Sequence, residues 1–348
     1  LKKIFNFITL ILISSILISC GKNEDKNVLN IYTWESFIPE EVIENFEKET
    51  NIHVNISFYD TNDIMMTKLL SGVKGEYDIV SPSTDFVELM IEANLLQKLD
   101  KKKLNEVFSN LDEELNLYEY AKIYDPNLQY SIPYGFFATG ITVNKSRVKE
   151  YRKDLSIFLD QRYSGKMTML DDGRELIGVA LQNLGYNSDS SSDKELEEAK
   201  NYLISMKKNL AKYDSSIYGK GLATGEFFIS HGYPDVFYEI EDNEFENFEY
   251  FLPKGAMMYI DSMAILKDGK NKENAYKFLK YLYKPENFKY TFEKFRQIPV
   301  VKGVYKLSDV KPILKKEEII KNAKLPKKLS VDAKYKQDKI FNEIKLSK

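Results

Sequence analysis

Residues 28–60 read VLNIYTWESFIPEEVIENFEKETNIHVNISFYD, and the spacing of their apolar residues changes period twice. Residues 28–32 form a short strand-like run. Pro39 then opens a helical stretch in which Val42, Ile43 and Phe46 share one face. In IHVNISF, Ile52, Val54, Ile56 and Phe58 fall on alternate positions, the period of a strand.

The same order repeats downstream. Asp60, Thr61 and Asn62 offer cap residues for a helix running through Leu69 and Leu70. A third strand over 77–80 runs into SPSTD and a helix over about 86–93. Strand alternating with helix three times predicts an α/β fold with a mostly parallel sheet flanked by helices. Further on, YSIPYGFFATGITV (130–143) is rich in strand formers broken by Pro133 and Gly135, which suits a crossing between two lobes. Strands are expected at 166–170, 227–230 and 257–266. DDGRE leads into an apolar helix through Ala180 and Leu184, and 271–283 is a helix packing Ala275, Phe278, Leu279 and Leu282. NSDSSSDKE (187–195) reads as a solvated loop. The lysine-rich tail beyond Lys311 reads as a solvated helical surface.

Of the 348 residues, 43% are apolar and 30% charged, enough to bury one or two sizeable cores. The chain starts LKKIFNFITLILISSILISC: two lysines, an apolar run too short for a comfortable ~20-residue span, then Ser19 and the single cysteine, Cys20. That order is expected of a cleaved leader over 1–20, and Leu17-Ile18-Ser19-Cys20-Gly21 resembles a bacterial lipobox, after which the cysteine is acylated. Residues 21–27, GKNEDKN, then form a tether to a membrane surface, and loss of Lys2 and Lys3 takes the net charge from −3 to about −5. Nothing basic invites nucleic acid.

In open α/β sheets, ligands collect at the loops that follow the carboxyl ends of the strands. The first such loop presents Trp34, Glu35, Ser36 and Phe37. The second presents Asp60 and Asn62, and the third Ser81, Ser83, Thr84 and Asp85. In the second half, Asp171, Asp172 and Glu175 follow one strand, and Tyr233 and Asp235 another. Tyr259 and Asp261 sit inside the apolar run MMYIDSMA. Carboxylate beside aromatic is the recurring pair. Phosphate loops want glycines with a lysine or arginine, and only Arg174 answers that description. An organic ammonium suits the pairing better, because it donates charge-assisted hydrogen bonds to acids and is attracted to a ring face by ~0.5–2 kcal/mol.

Residue chemistry alone leaves other readings open. Trp34 serves equally as a core indole. Ser83, Thr84, Asp60 and Asp172 serve as helix caps, and Glu35 and Asp235 as solvated acids. Asp261 is the hardest to place blandly, since an acid within an apolar strand wants a partner. His53 faces away from the apolar side of its strand. His231 has no Cys or second His at metal-ligand spacing, so no metal is expected. No nucleophile elbow or zinc-protease pair is present, and no cofactor or enzymatic activity is expected. Asp171, Asp172 and Glu175 could mimic a glycosidase pair, which keeps a secreted glycosidase as one alternative. A receptor for another organic cation such as thiamine, or an adhesin or sensor, are others.

Longer stretches carry a family resemblance. NIYTWESFIPEEVIENFEKETNIHV, GEYDIVSPSTDFV, LLQKLDKKKL, YSIPYGFFATGITVN, MLDDGRELIGVALQNLGY, GAMMYIDSMAI and KNKENAYKFLKYLYKPENF resemble the spermidine/putrescine-binding proteins of bacterial ABC importers, in the same order from Val28 to about Pro299. The resemblance implies a type II periplasmic binding fold: a monomer of two lobes that close over a polyamine and dock on a permease driven by a separate ATPase. It divides the chain into lobe 1 (28–135 and about 258–305) and lobe 2 (about 136–257 and 306–348). It places Trp34 and Phe37 in an aromatic loop, Ser83 and Asp85 in a serine-containing loop, and Asp172 and Glu175 in an acidic loop. Tyr233 and Asp235 fall in a second aromatic loop, and Tyr259 with Asp261 in an aromatic-x-Asp strand where the acid holds an amine. Gln297 falls near a late contact. The chain departs at Phe37, where tyrosine is common, at Tyr233 and Tyr259, where tryptophan is frequent, and at Asp85, where some members have tyrosine.

Overall fold

The computed structural model describes residues 27–72 and 74–347. The expected leader, Cys20 and tether residues 21–26 lie outside the described residues. Eleven strands are present among the described residues: β1 (Val28–Trp34), β2 (His53–Tyr59), β3 (Ile79–Val80), β4 (Ser131–Ala138), β5 (Gly140–Asn144), β6 (Met167–Met169), β7 (Leu210–Tyr213), β8 (Ile229–Gly232), β9 (Phe248–Phe251), β10 (Ala256–Ile265) and β11 (Ala323–Lys324). They form two sheets, one ordered β11-β10-β3-β1-β2 with β4 beside β10, the other β7-β6-β8-β5-β9.

The opening stretch folds as strand, helix, strand. Helix Glu40–Thr50 starts after Pro39 with two acids in its first turn, where they complement the helix dipole, and ends at Asn51 in the left-handed conformation. It buries Val42 and Phe46, and Phe46 meets the edge of Phe278 at 5.1 Å. β1 pairs with β2 and β3 in parallel, so the ends of all three point the same way. The alternation expected of β2 fails at its end: Phe58 is 54% exposed and Tyr59 is buried. β2 is the edge strand, and Tyr59 turns in to meet Trp34, opposite it in register.

Both sheets are mixed. β6 runs parallel to β7 and β8, but β5 is antiparallel to β8 and β9, and β10 is antiparallel to β3 and β4. The antiparallel strands are those that enter straight from the other lobe. The chain passes between lobes at Thr139, between β4 and β5, again between β9 and β10, and a third time in the tail before helix Val331–Leu346. The first two passages touch, since Thr139 N–H donates to Met257 O at 3.0 Å. Tyr250 Oη donates to Ala138 O at 2.7 Å and Gly232 O at 2.9 Å, pinning the first passage. Gly140 is needed there: a Cβ on it would lie 2.7 Å from Phe251 O.

The tail divides, which corrects the assignment of all of 306–348 to the second lobe. Leu314, Ile319 and Ala323 pack into the core that contains β1 and β10, and Lys328 pairs with Glu92 at 2.5 Å. Only helix Val331–Leu346 packs against helices Gly173–Leu184 and Asp193–Lys207, with Ile344 in the second core. The apolar residues before Pro326 find their cover on the first lobe. The loop 187–195 is less solvated than expected, because Ser188 is buried and its carbonyl takes hydrogen bonds from Arg174 and Gln337.

Candidate ligand site between the lobes

Three strand ends of the first lobe build one wall. After β1 the chain turns through Ser36, left-handed at φ 57°, which tucks Phe37 against Tyr134 at 4.9 Å. Trp34 is partly buried; its Nε1 donates to Ser81 O at 2.9 Å and its ring lies 4.6 Å from Tyr59. Tyr59 Oη donates to the same carbonyl. Glu35 is exposed.

Asp261 lies behind this wall in β10, and its neighbours are tied to the loop after β3. Ile260 and Thr84 bond reciprocally at 3.1 and 3.2 Å, and Ser262 N–H donates to Pro82 O at 3.0 Å. The register with β4 shifts between Asp261 and Ser262. Ser83 precedes helix Thr84–Glu92 but makes no side-chain cap bond; its hydroxyl accepts from Asn62 at 3.0 Å and supports the Asp261 carboxyl. Asp261 is 6% exposed and its Oδ1 has no hydrogen-bond partner. Burial pushes this carboxyl up to about 7 against the Ser83 bond, with the charge of Asp85 adding to the rise. Asp78 and Asp125 are buried as well, but backbone N–H groups satisfy both. Asp261 is the acid with an oxygen left over.

The second lobe supplies the facing wall. Tyr233, after β8, lies 5.9 Å from Phe137 and 6.2 Å from Tyr259, and Phe137 stacks on Tyr259 at 5.9 Å. Burial raises the Tyr233 phenol well above its ordinary value, and Asp172, Glu175, Asp261 and Asp235 all add to the rise, so one ring senses four acids from three segments. Asp172 caps helix Gly173–Leu184, accepting from Glu175 N at 3.0 Å. Asp235 accepts from Tyr218 Oη at 2.5 Å. Burial raises the carboxyls of Asp85, Asp172 and Asp235, each of which keeps some surface open to solvent. Gln297 reaches the same region: its Oε1 lies 3.5 Å from where a Cβ on Gly135, the register partner of Asp261, would stand.

Glu175 is different. It is fully buried, with Thr139 donating to Oε1 and Tyr259 to Oε2, and His231 Nε2 lies 3.6 Å from Oε1. Burial pushes its carboxyl up to about 8 and the His231 imidazole down to about 3. Among the described residues no group of three or more His, Cys, Asp or Glu is placed to hold a metal ion.

A sequence model of the family described as bacterial extracellular solute-binding protein matches residues 41–326. The chain belongs to this family. A spermidine/putrescine-binding periplasmic protein of Escherichia coli (strain K12) is 35% identical over 272 residues, 77% of this chain and 76% of its own. A putrescine/cadaverine-binding protein of Pseudomonas aeruginosa is 30% identical over 291 residues, 80% of each chain. The crystal structure of the Tp0655 (TpPotD) lipoprotein of Treponema pallidum superposes with a TM-score of 0.84 at 31% identity, covering 91% of this chain and 99% of that one. The two-lobed periplasmic binding fold follows from these matches.

In this solute-binding protein the structure brings Trp34, Ser83, Asp85, Asp172, Tyr233, Asp235, Tyr259, Asp261 and Gln297 to one interlobe region. Phe37 is set back, between Tyr134 and Phe295, and Glu35 points to solvent. Tyr59, Phe137 and Thr139 were not expected there. Tyr59 closes β2 one position after an alternation that points to Phe58. Phe137 meets Tyr259 only through the β4–β10 pairing, whose register no local pattern reveals.

Proposed function

We propose that this protein binds a linear polyamine, putrescine or spermidine, between its lobes and delivers it to an ABC importer as a receptor held to the membrane by lipid on Cys20. The observation that carries the reading is the unpartnered, buried Oδ1 of Asp261 behind a rim of rings. A buried carboxylate with no partner is costly, and an ammonium arriving there satisfies it by a charge-assisted hydrogen bond. The ligand's methylenes then lie against Trp34 and the Phe137–Tyr259–Tyr233 wall, while Asp85, Asp172 and Asp235 hold negative potential around the remaining nitrogen. The names of the relatives agree with this chemistry. The cleft works by binding, with no chemical step: Glu175, an acid that a glycosidase would need to expose, has both oxygens engaged.

Thermal melting of the chain from Val28 onward against putrescine, cadaverine, spermidine and thiamine tests the reading. A ligand at 100 times its Kd stabilises by ~2.7 kcal/mol, so a polyamine should raise Tm while thiamine leaves it in place. A rise with thiamine alone, or with no member of the panel, would contradict it.

A further inference from the structure

Helix Pro285–Phe295 of the first lobe ends at Arg296, which stands in the left-handed conformation at φ 49°. Glycine or asparagine is the usual residue in that place, so an arginine there carries a backbone cost that glycine would not. Its side chain leaves its own lobe. Arg296 Nη2 donates to Asp242 Oδ1 at 2.9 Å, and the guanidinium carbon lies 4.3 Å from the centre of the Phe245 ring. Asp242 and Phe245 belong to the turn Asp242–Asn247, between β8 and β9 in the second lobe. Phe295 crosses the same gap, 5.3 Å from Tyr238 of the second lobe and 6.3 Å from Phe37 in the loop after β1. A solvated ion pair alone contributes little. Here the Arg296 side chain is only 21% exposed and also stacks on a ring, although Asp242 is 82% exposed.

We propose that Arg296, with Phe295, is an interlobe latch: it grips Asp242 and Phe245 only while the lobes are together, and so sets affinity without touching the ligand. The inference rests on the polyamine reading for its ligand and adds positioning residues outside the cleft. A contact made in one conformation alone shifts the equilibrium toward that conformation, with or without ligand. Because the latch meets no part of the ligand, it should act equally on polyamines of different length.

The test is calorimetric titration of putrescine and spermidine into the wild type, Arg296→Gly, Asp242→Asn, the double variant and Lys334→Ala. Arg296→Gly should weaken both ligands by the same factor, about three- to tenfold, while the Tm of the unliganded protein holds or rises because glycine suits the left-handed turn. Asp242→Asn should lose part of that factor, and the double variant no more than Arg296→Gly alone, since both changes remove one contact. Lys334→Ala breaks a looser interlobe pair, 4.0 Å from Asp63 with both side chains more than half exposed, and should stay within about twofold of wild type. Unchanged affinity in Arg296→Gly, or losses that multiply in the double variant, would overturn the latch; a loss confined to one polyamine would make Arg296 a specificity residue instead and overturn it too. A second arm needs no ligand. Spin labels at Lys48→Cys and Lys194→Cys, exposed on helices of the two lobes, report the separation between them in the chain from Val28 onward. Arg296→Gly should move the distance distribution to larger values, and superimposable distributions would overturn the proposal. If no polyamine binds the wild type, the functional reading fails while the distance arm still decides the latch.

Discussion

Asp261 and Glu175 are both acids buried in the region between the lobes, and burial raises the pKa of each. Their surroundings part them. Asp261 has one supporting hydroxyl and an oxygen without a partner, whereas Glu175 has a hydroxyl on each oxygen and a histidine beside it. What separates the two in the empty protein is that one Asp261 oxygen has no protein partner, so that oxygen stands to gain most on meeting a cation.

The largest effect separating the pair is expected from Asp261→Asn. It leaves a buried ammonium without its charged partner and should cost ~2–5 kcal/mol of putrescine binding, at least about thirtyfold by calorimetry. A cost under about threefold would remove Asp261 from the site. Next in size is pH. The carboxyl of Asp261 in the empty protein lies at about 7 and is faced by Ser83 and Asp85. An ammonium favours its ionised form, so binding must displace a proton below that pH. Affinity should be flat above pH 7 and fall by up to ~10-fold per unit below it. An affinity that holds level from pH 7.5 to 5.5 would refute the assignment. Replacing Trp34 with leucine removes a ring face and should cost ~0.5–2 kcal/mol, with a melting curve on the same sample separating binding loss from unfolding. Glu35→Gln, on the exposed side of the same loop, should change affinity by under ~0.5 kcal/mol. A larger loss would bring Glu35 into the site.

How much of this could be read beforehand depends on how local each feature is. The β1-helix-β2 unit was legible because Val42, Phe46, Val54 and Pro39 are patterned within a few residues of one another. The acid Asp261 was legible as an anomaly, a charge inside an apolar strand. The setting of Glu175 was not, because its partners Thr139, His231 and Tyr259 lie far apart in the chain and meet only when the first two passages between lobes are formed. The division of the tail near Pro326 was hidden for the same reason: lysine-rich composition marks a solvated surface without saying which lobe lies beneath it. Tyr59 was missed because strand alternation assumes a uniform edge, and β2 changes its buried side at the last residue.

Calorimetry of putrescine binding near pH 6.5, in two buffers of different ionisation enthalpy, tests the role of Asp261 most directly. The wild type should release a fraction of a proton on binding, seen as a buffer-dependent enthalpy. Asp261→Asn should bind far more weakly, with that buffer dependence reduced. Equal affinity and equal proton release in the two proteins would contradict the account.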